Sequence, residues 1–185
     1  QKLEAVTKLQ PELAAAPANA AIVRRQVDDA ILWHLVTQFR DRRDETIKAF
    51  ERAAGNIPPT PPDLRLSSLA TMVSRLLDNK FMCDAAEKAL AVAVEATAGT
   101  PAPAASATPP RPGMPEPAAR LATARGRGLE VLGRIHAEQG QTDRAARELK
   151  EALELNPALA RAPITHAEIE AKRGNKPAAR DMNMQ

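Results

Sequence analysis

Apolar residues recur at intervals of three and four along most of the chain, as in Ile31, Leu35 and Phe39 and again in Leu66, Leu69, Val73 and Leu76. That spacing places a stripe on one face of an α-helix, so each such stretch predicts an amphipathic helix with one buried side. β-Branched residues such as Ile22-Val23 and Val92 to Val94 sit in no alternating stretch bounded by turn residues. No sheet is therefore expected, and the chain reads as all-α.

Proline divides the pattern. Ile57 to Pro62 is one break, and Gly99 to Pro117, which holds seven of the sixteen prolines among Ala, Ser and Thr, is a longer one that cannot be helical. The expected organisation is helical pairs over 1–97, a Pro/Ala-rich linker or insertion over 98–118, and further helices over 119–185. Asp63, directly after a proline pair, is the expected N-cap of a helix running to Asp78. Thr142 and Asp143 are expected to accept the free N–H groups of the helix after the Gly140 turn.

The segment 126–159 reads GRGLEVLGRIHAEQGQTDRAARELKEALELNPAL. It resembles one complete tetratricopeptide repeat, a hairpin of two helices with a period of about 34 residues. The carriers are Leu129, Leu132, Gly133, His136, Gly140, Ala145, Leu149, Ala152, Leu155 and Pro157. Gly133 and Ala145 are small where the two helices cross, Ala152 is small where the next repeat docks, and Pro157 stops the second helix. His136 holds a large packing position, which predicts a half-buried ring.

Applying the same period elsewhere gives weaker matches. After the strong repeat, Ala167, Gly174 and Ala179 fall on small and turn positions, with Pro163 and Asn183 as departures. Before it, Met72, Val73, Leu76, Ala85, Ala89 and Val92 fit a pair over 64–97. Trp33, Thr37, Phe50, Ala53 and Pro58 fit one over 27–60, with His34 and Thr46 on the crossing positions. Lys2 to Pro17 resembles a second helix through Ala5, Leu9 and Pro17, kinked at Pro11. Beginning and ending mid-repeat leads one to expect flanking helices elsewhere.

The resemblance implies a right-handed superhelix of helical hairpins, interrupted by the Pro/Ala-rich insertion, whose first helices line a concave groove. Its implied role is a non-enzymatic scaffold or adaptor within a hetero-complex, holding a segment of a partner protein. Residues expected to face the groove are Arg127, Glu130, Arg134, Ala137 and Glu138, joined by Arg161, Glu168 and Lys172 from the next repeat. Arginine's planar fork suits carboxylates, so an acidic partner segment near Arg127, Arg134 and Arg161 is expected. The Lys and Asn set of the family's chaperone-tail clamp is not present in successive first helices. Two other readings fit the same residues: the repeat region of a larger enzyme whose catalytic domain lies outside this chain, and a structural subunit that threads the Pro/Ala-rich segment across a partner.

Composition refines this picture. Hydrophobic residues make up 44% of the chain but aromatics only 2%, so the core must be built from Ala, Leu, Val and Ile in closely packed helices. The net charge of +3 is a small excess of 26 basic over 23 acidic residues, which gives no basic face for nucleic acid. Arg40, Arg42 and Arg43 interleave with Asp41, Asp44 and Glu45 and predict local ion pairs. No run approaches the roughly 18 apolar residues of a membrane span. His34, His136 and His166 lie far apart and lack ligand spacing, so neither a metal nor another cofactor is expected. Gly126-Arg127-Gly128 is too short for a phosphate loop and reads as a loosened helix start. Cys83, the single cysteine, opens a helix next to Asp84 and reads as a packing residue. Trp33, with Ile31, Leu35, Val36 and Phe39, forms the most hydrophobic patch, expected as core or as a docking face. The Ala, Arg and Pro bias suggests a GC-rich bacterial genome, and the Pro/Ala-rich linker with a start other than Met leans toward an exported, periplasmic protein over a cytoplasmic one.

Overall fold

The structure is a computed structural model that describes residues 20–98, 115–159 and 162–172, with side chains described for 23–98, 115–159 and 162–170. The helix expected over Lys2 to Pro17, and Gly174, Ala179 and Asn183, lie outside the described residues. So does the stretch from 99 to 114. Among the described residues the chain is all-helical: α1 (Ala20–Gln38), α2 (Arg43–Gly55), α3 (Pro62–Asp78), α4 (Asp84–Thr97), α5 (Pro117–Glu138), α6 (Thr142–Leu155) and α7 (Ala162–Lys172).

Short links make hairpins of α1 with α2, α3 with α4, and α5 with α6, and each pair packs along its length. The hairpins also pack on one another, α3 and α4 against α5, and α6 against α7. Two ion pairs set the direction of α3 and α5. Asp63, near the start of α3, meets Arg120 near the start of α5 at 3.2 Å, and Asp78 at the end of α3 meets Arg134 near the end of α5 at 2.6 Å. The two helices therefore run parallel and side by side. One continuous core joins residues from both sides of the Pro/Ala-rich segment, from Leu32, Phe50 and Leu66 to Ile135 and Leu149, all at most 1% exposed. Full burial of each large aliphatic side chain contributes about 2 kcal/mol.

The segment 126–159 packs as a helical hairpin with its small residues at the close contacts. Leu129, Leu132, Gly133, Ala145, Leu149 and Ala152 are buried, and Pro157 is exposed in the turn after α6. A Cβ placed on Gly133 would lie 2.7 Å from Leu149 Cγ, so α5 and α6 touch where only a hydrogen fits. Gly126 and Gly128 do not loosen a helix start, because α5 begins well before them, at Pro117. A Cβ on Gly128 would meet Val94 Cγ2 at 2.7 Å and Leu66 Cδ1 at 3.2 Å, and one on Gly126 would meet the Ala152 carbonyl oxygen at 3.0 Å. They are close-approach points to the hairpin before and to α6.

The two earlier hairpins keep the pattern but slip in register. In α1 the buried apolar residues are Ile31, Leu32, Leu35 and Val36, matching Val131, Leu132, Ile135 and His136 of α5, while His34 and Thr37 are exposed. His34 is thus not at the helix crossing, although Thr46 of α2 is buried. In α4, Ala86, Leu90 and Val94 enter the core, whereas Ala85 and Ala89 are half-buried and Val92 is 57% exposed. The physical reason is the same in both cases. The links 39–42 and 79–83 are longer than 139–141, so a period read across them shifts one helix relative to its mate.

Helix ends also differ from expectation. Asp63 is not the cap of α3; Pro61 is, with Pro62 in the first turn, where a missing N–H costs nothing, and Asp63 is buried against Arg120. Gln141, not Thr142 or Asp143, caps α6, without a side-chain hydrogen bond. The C-termini of α3 and α5 close with the same motif. Lys80 N–H donates to Leu77 O and Phe81 N–H to Leu76 O, as Gly140 does to Ala137 O and Gln141 to His136 O. Gly140 takes the left-handed φ of 78° that this closure needs, and Lys80 adopts a φ of 56° in its place.

Candidate functional site

The parallel pair α3 and α5 forms the two walls of a cleft of about 560 Å³. Ser67, Ala70, Thr71, Ser74, Arg75 and Asp78 supply one wall, Thr123, Ala124, Arg127, Glu130, Val131 and Arg134 the other, and Asn156, Ala158 and Leu159 close one side. Each set recurs at three and four, so each is a single helix face. Small side chains along α3 are what leaves the space.

Of the residues expected in a groove, Arg127, Glu130 and Arg134 meet in this cleft. Glu138 is exposed at the end of α5, outside the lining, and Ala137 is half-buried outside it as well. Glu168 is exposed on α7, while Arg161 and the side chain of Lys172 lie outside the described residues. The arginines do different things. Arg134 is 16% exposed and donates to Ser74 Oγ at 3.1 Å and Asp78 Oδ1 at 2.6 Å, so it straps the two walls together. Glu130 is buried. Arg127 is exposed and makes no ion pair with any described residue.

The sequence reading missed the α3 wall, above all Arg75. Its guanidinium lies 3.8 Å from the centroid of the Trp33 ring of α1, a cation–π contact that holds the fork in place. Trp33 is thus half-buried beneath an arginine, and the apolar patch around it is core, with Ile31, Leu35 and Val36 buried. Nearby, burial pushes the Asp29 carboxyl above its ordinary value, and this outweighs the lowering by Arg25 and Arg75. The signal for the wall was the repeat of small and polar residues at 67, 70, 71, 74, 75 and 78. It carries no apolar stripe.

His136 is fully buried, not half-buried. Its Nδ1 faces Glu148 Oε2 of α6 in a short contact and its Nε2 lies 3.3 Å from Glu87 Oε1 of α4. Gln139 donates to Glu87 at 2.7 Å and Arg144 to Glu148 at 3.2 Å, so both carboxylates have a second partner. This polar cluster pins three helices together. His166 is buried on α7 and His34 is exposed, stacked edge-on against Phe39 at 5.3 Å. Among the described residues no group of three or more His, Cys, Asp or Glu is placed to hold a metal ion, and no helix is long and apolar enough to cross a membrane.

The basic knot divides between one local ion pair and contacts to the link before α4. Arg42 pairs with Glu45 at 3.4 Å and lies over Phe39, while Arg43 donates to the Met82 carbonyl and covers Phe81. Cys83 is buried at the N-cap of α4, and burial pushes its thiol above the ordinary value, despite the lowering by Arg43. Alkylation by iodoacetamide at neutral pH is therefore expected to be about tenfold slower or more in the folded chain than in denaturant. Equal rates in the two conditions would show that the thiol is open to solvent.

No sequence profile of a known protein family matches the chain, and no curated protein is similar to it in sequence. What the molecule offers to function is therefore its class, an all-helical stack of hairpins, and the arginine-bearing cleft between two of its parallel helices.

Proposed function

We propose that this chain is a non-enzymatic interaction module of tetratricopeptide type, an adaptor or accessory subunit that holds a segment of a partner protein in the cleft between α3 and α5. The observation that carries this reading is the cleft itself. Its walls are the first helices of successive hairpins, they run parallel, and the α3 face is stripped of bulky side chains except Arg75. Support for the repeat family comes from the glycine and alanine contacts of 126–159 and from two α-helical hairpins whose first helices end in the same turn motif. In this reading the hairpins follow a right-handed superhelix, α1, α3, α5 and α7 lie on its concave side, and further protein partners complete a hetero-complex.

The test is selection of binders from a random peptide library displayed against the full chain. Arg127→Glu is expected to weaken the selected binders about tenfold, because it reverses the charge at an open position of the cleft. Arg147→Glu, on the exposed face of α6, is expected to leave them unchanged. Binders indifferent to Arg127→Glu, or none at all, would remove the cleft from the function.

A further inference from the structure

The α1–α2 hairpin is tight within itself and is joined to the rest of the stack by contacts of a different kind. Leu32 and Val36 of α1 and Ala49, Phe50 and Ala53 of α2 are at most 1% exposed. At the open end of the hairpin Asn56 donates to Asp28 Oδ2 at 2.6 Å, and Arg52 pairs with Asp28 Oδ1 at 3.6 Å. The two helices therefore hold together as one body.

Four arginines bridge this body to α3 and α4, and each ends on a neutral group. Arg25 donates to Ser68 Oγ at 3.5 Å, Arg65 to the Ile57 carbonyl at 2.9 Å and Arg43 to the Met82 carbonyl, while Arg75 lies over Trp33. None of the four has a carboxylate of a described residue within ion-pair distance. Asp29, beside Arg25 and Arg75, has Oδ1 buried without a hydrogen-bond partner, an acceptor that opposes closure here. Between α2 and α4 the packing is incomplete. A groove of about 390 Å³ runs there, lined by Phe50, Ala54, Leu69, Ala85, Ala89 and Val92.

The next boundary is built differently. A Cβ on Gly128 of α5 would lie 2.7 Å from Val94 of α4 and 3.2 Å from Leu66 of α3. Ion pairs close both ends of α3 against α5, and Glu87 of α4 meets the buried His136 at 3.3 Å. Contacts this close are lost at a small separation, and opening them strands buried carboxylates. Arginines on neutral partners instead return to water on release and regain side-chain freedom. Relative motion belongs at a polar, incompletely packed boundary.

We propose that the α1–α2 hairpin is hinged at the link 56–61 and swings as a rigid body against α3 and α4, while α3 to α6 stay locked. Closed, it seats Arg75 of the cleft wall on Trp33; open, it carries that platform away. The hairpin thus sets whether the α3 wall presents a fixed arginine, whatever the cleft holds.

The experiment measures distances between spin labels on the full chain in a Cys83→Ala background. One pair is Lys48→Cys on α2 with Arg147→Cys on α6; the other is Glu95→Cys on α4 with Arg147→Cys. Two populations are expected for the first pair and one narrow population for the second. Arg43→Met should shift the first pair about fivefold toward the longer distance. A second measurement needs no label, because Trp33 is the single tryptophan and the chain has no tyrosine. Arg43, whose contacts are with Met82 and Phe81, should on replacement by Met move Trp33 emission to longer wavelength with unchanged far-UV circular dichroism. Emission indifferent to Arg43→Met, or one narrow population for both pairs, overturns the hinge. Equal broadening of both pairs overturns it too, since the whole stack would then be compliant. Loss of helix signal in step with the emission change would mean that α1 and α2 unravel, and the rigid swing falls.

Discussion

Gly133→Leu is expected to lower the stability of the full chain by about 3 kcal/mol, at the upper end of what overpacking a core contact does. Helix propensity alone gives the opposite sign, since Leu is favoured over Gly inside a helix by roughly 0.8 kcal/mol. Geometry decides between the two. A Cβ at Gly133 meets Leu149 at 2.7 and 3.1 Å and the Ala145 carbonyl oxygen at 3.3 Å, and Leu149 is wholly buried with nowhere to turn. The helices must separate, which opens the contacts of the whole α5–α6 hairpin. A urea titration checks this, and the thermal midpoint should fall by about 10 °C for a chain of this size. Leu149→Ala in the Gly133→Leu background is expected to recover part of the loss, although alone it costs about 3 kcal/mol. A Gly133→Leu protein as stable as the parent would mean that α5 and α6 do not cross at this point.

The same contact explains why one part of the fold was legible in the sequence. Between α5 and α6 the backbones approach so closely that residue choice is forced, and small residues at 133, 145 and 152 write the hairpin into the chain. Gly140 has open space around it and is set by its φ of 78°, which marks the turn just as directly. The earlier hairpins have no glycine pressed against a mate in this way, since Gly55 has open space around it, and their buried alanines alone admit more than one register. The longer links then displaced His34 and Val92 from their expected places. Helix type survived this slip because the three-and-four spacing is local; facing did not, because it depends on link geometry.

The candidate site was half legible for a different reason. Arg127, Glu130 and Arg134 stand on a helix whose buried side follows from the spacing of Leu129, Leu132 and Gly133, so their common face followed. Which arginine is open to a ligand did not follow, because that depends on Ser74 and Asp78 on another helix, far away in sequence. Arg75 was hidden similarly, since its position is fixed by Trp33 of α1. A charged residue's role is set by what lies across the gap, and pattern along one helix cannot supply it.

His136 is the strongest case of that kind, and His136→Ala is expected to cost about 3 kcal/mol. One part is the cavity left by a fully buried ring. The other is electrostatic: Glu87 and Glu148, at 23% and 15% side-chain exposure, would face each other's helices without the ring that stands between them. Gln139 and Arg144 still hold one oxygen of each carboxylate, which limits the second part. His136→Phe separates the two contributions, because it refills the space left by the buried ring but offers neither carboxylate a hydrogen bond. It is expected to remain about 1–2 kcal/mol below the parent. Adding Glu87→Gln and Glu148→Met to His136→Phe then replaces the ionic cluster with neutral packing, and stability should return to the parent's level or above it. Urea midpoints of these variants at one pH decide the matter. If His136→Phe alone matches the parent, the carboxylates draw no support from the ring, and the cluster does not pin α4, α5 and α6 together.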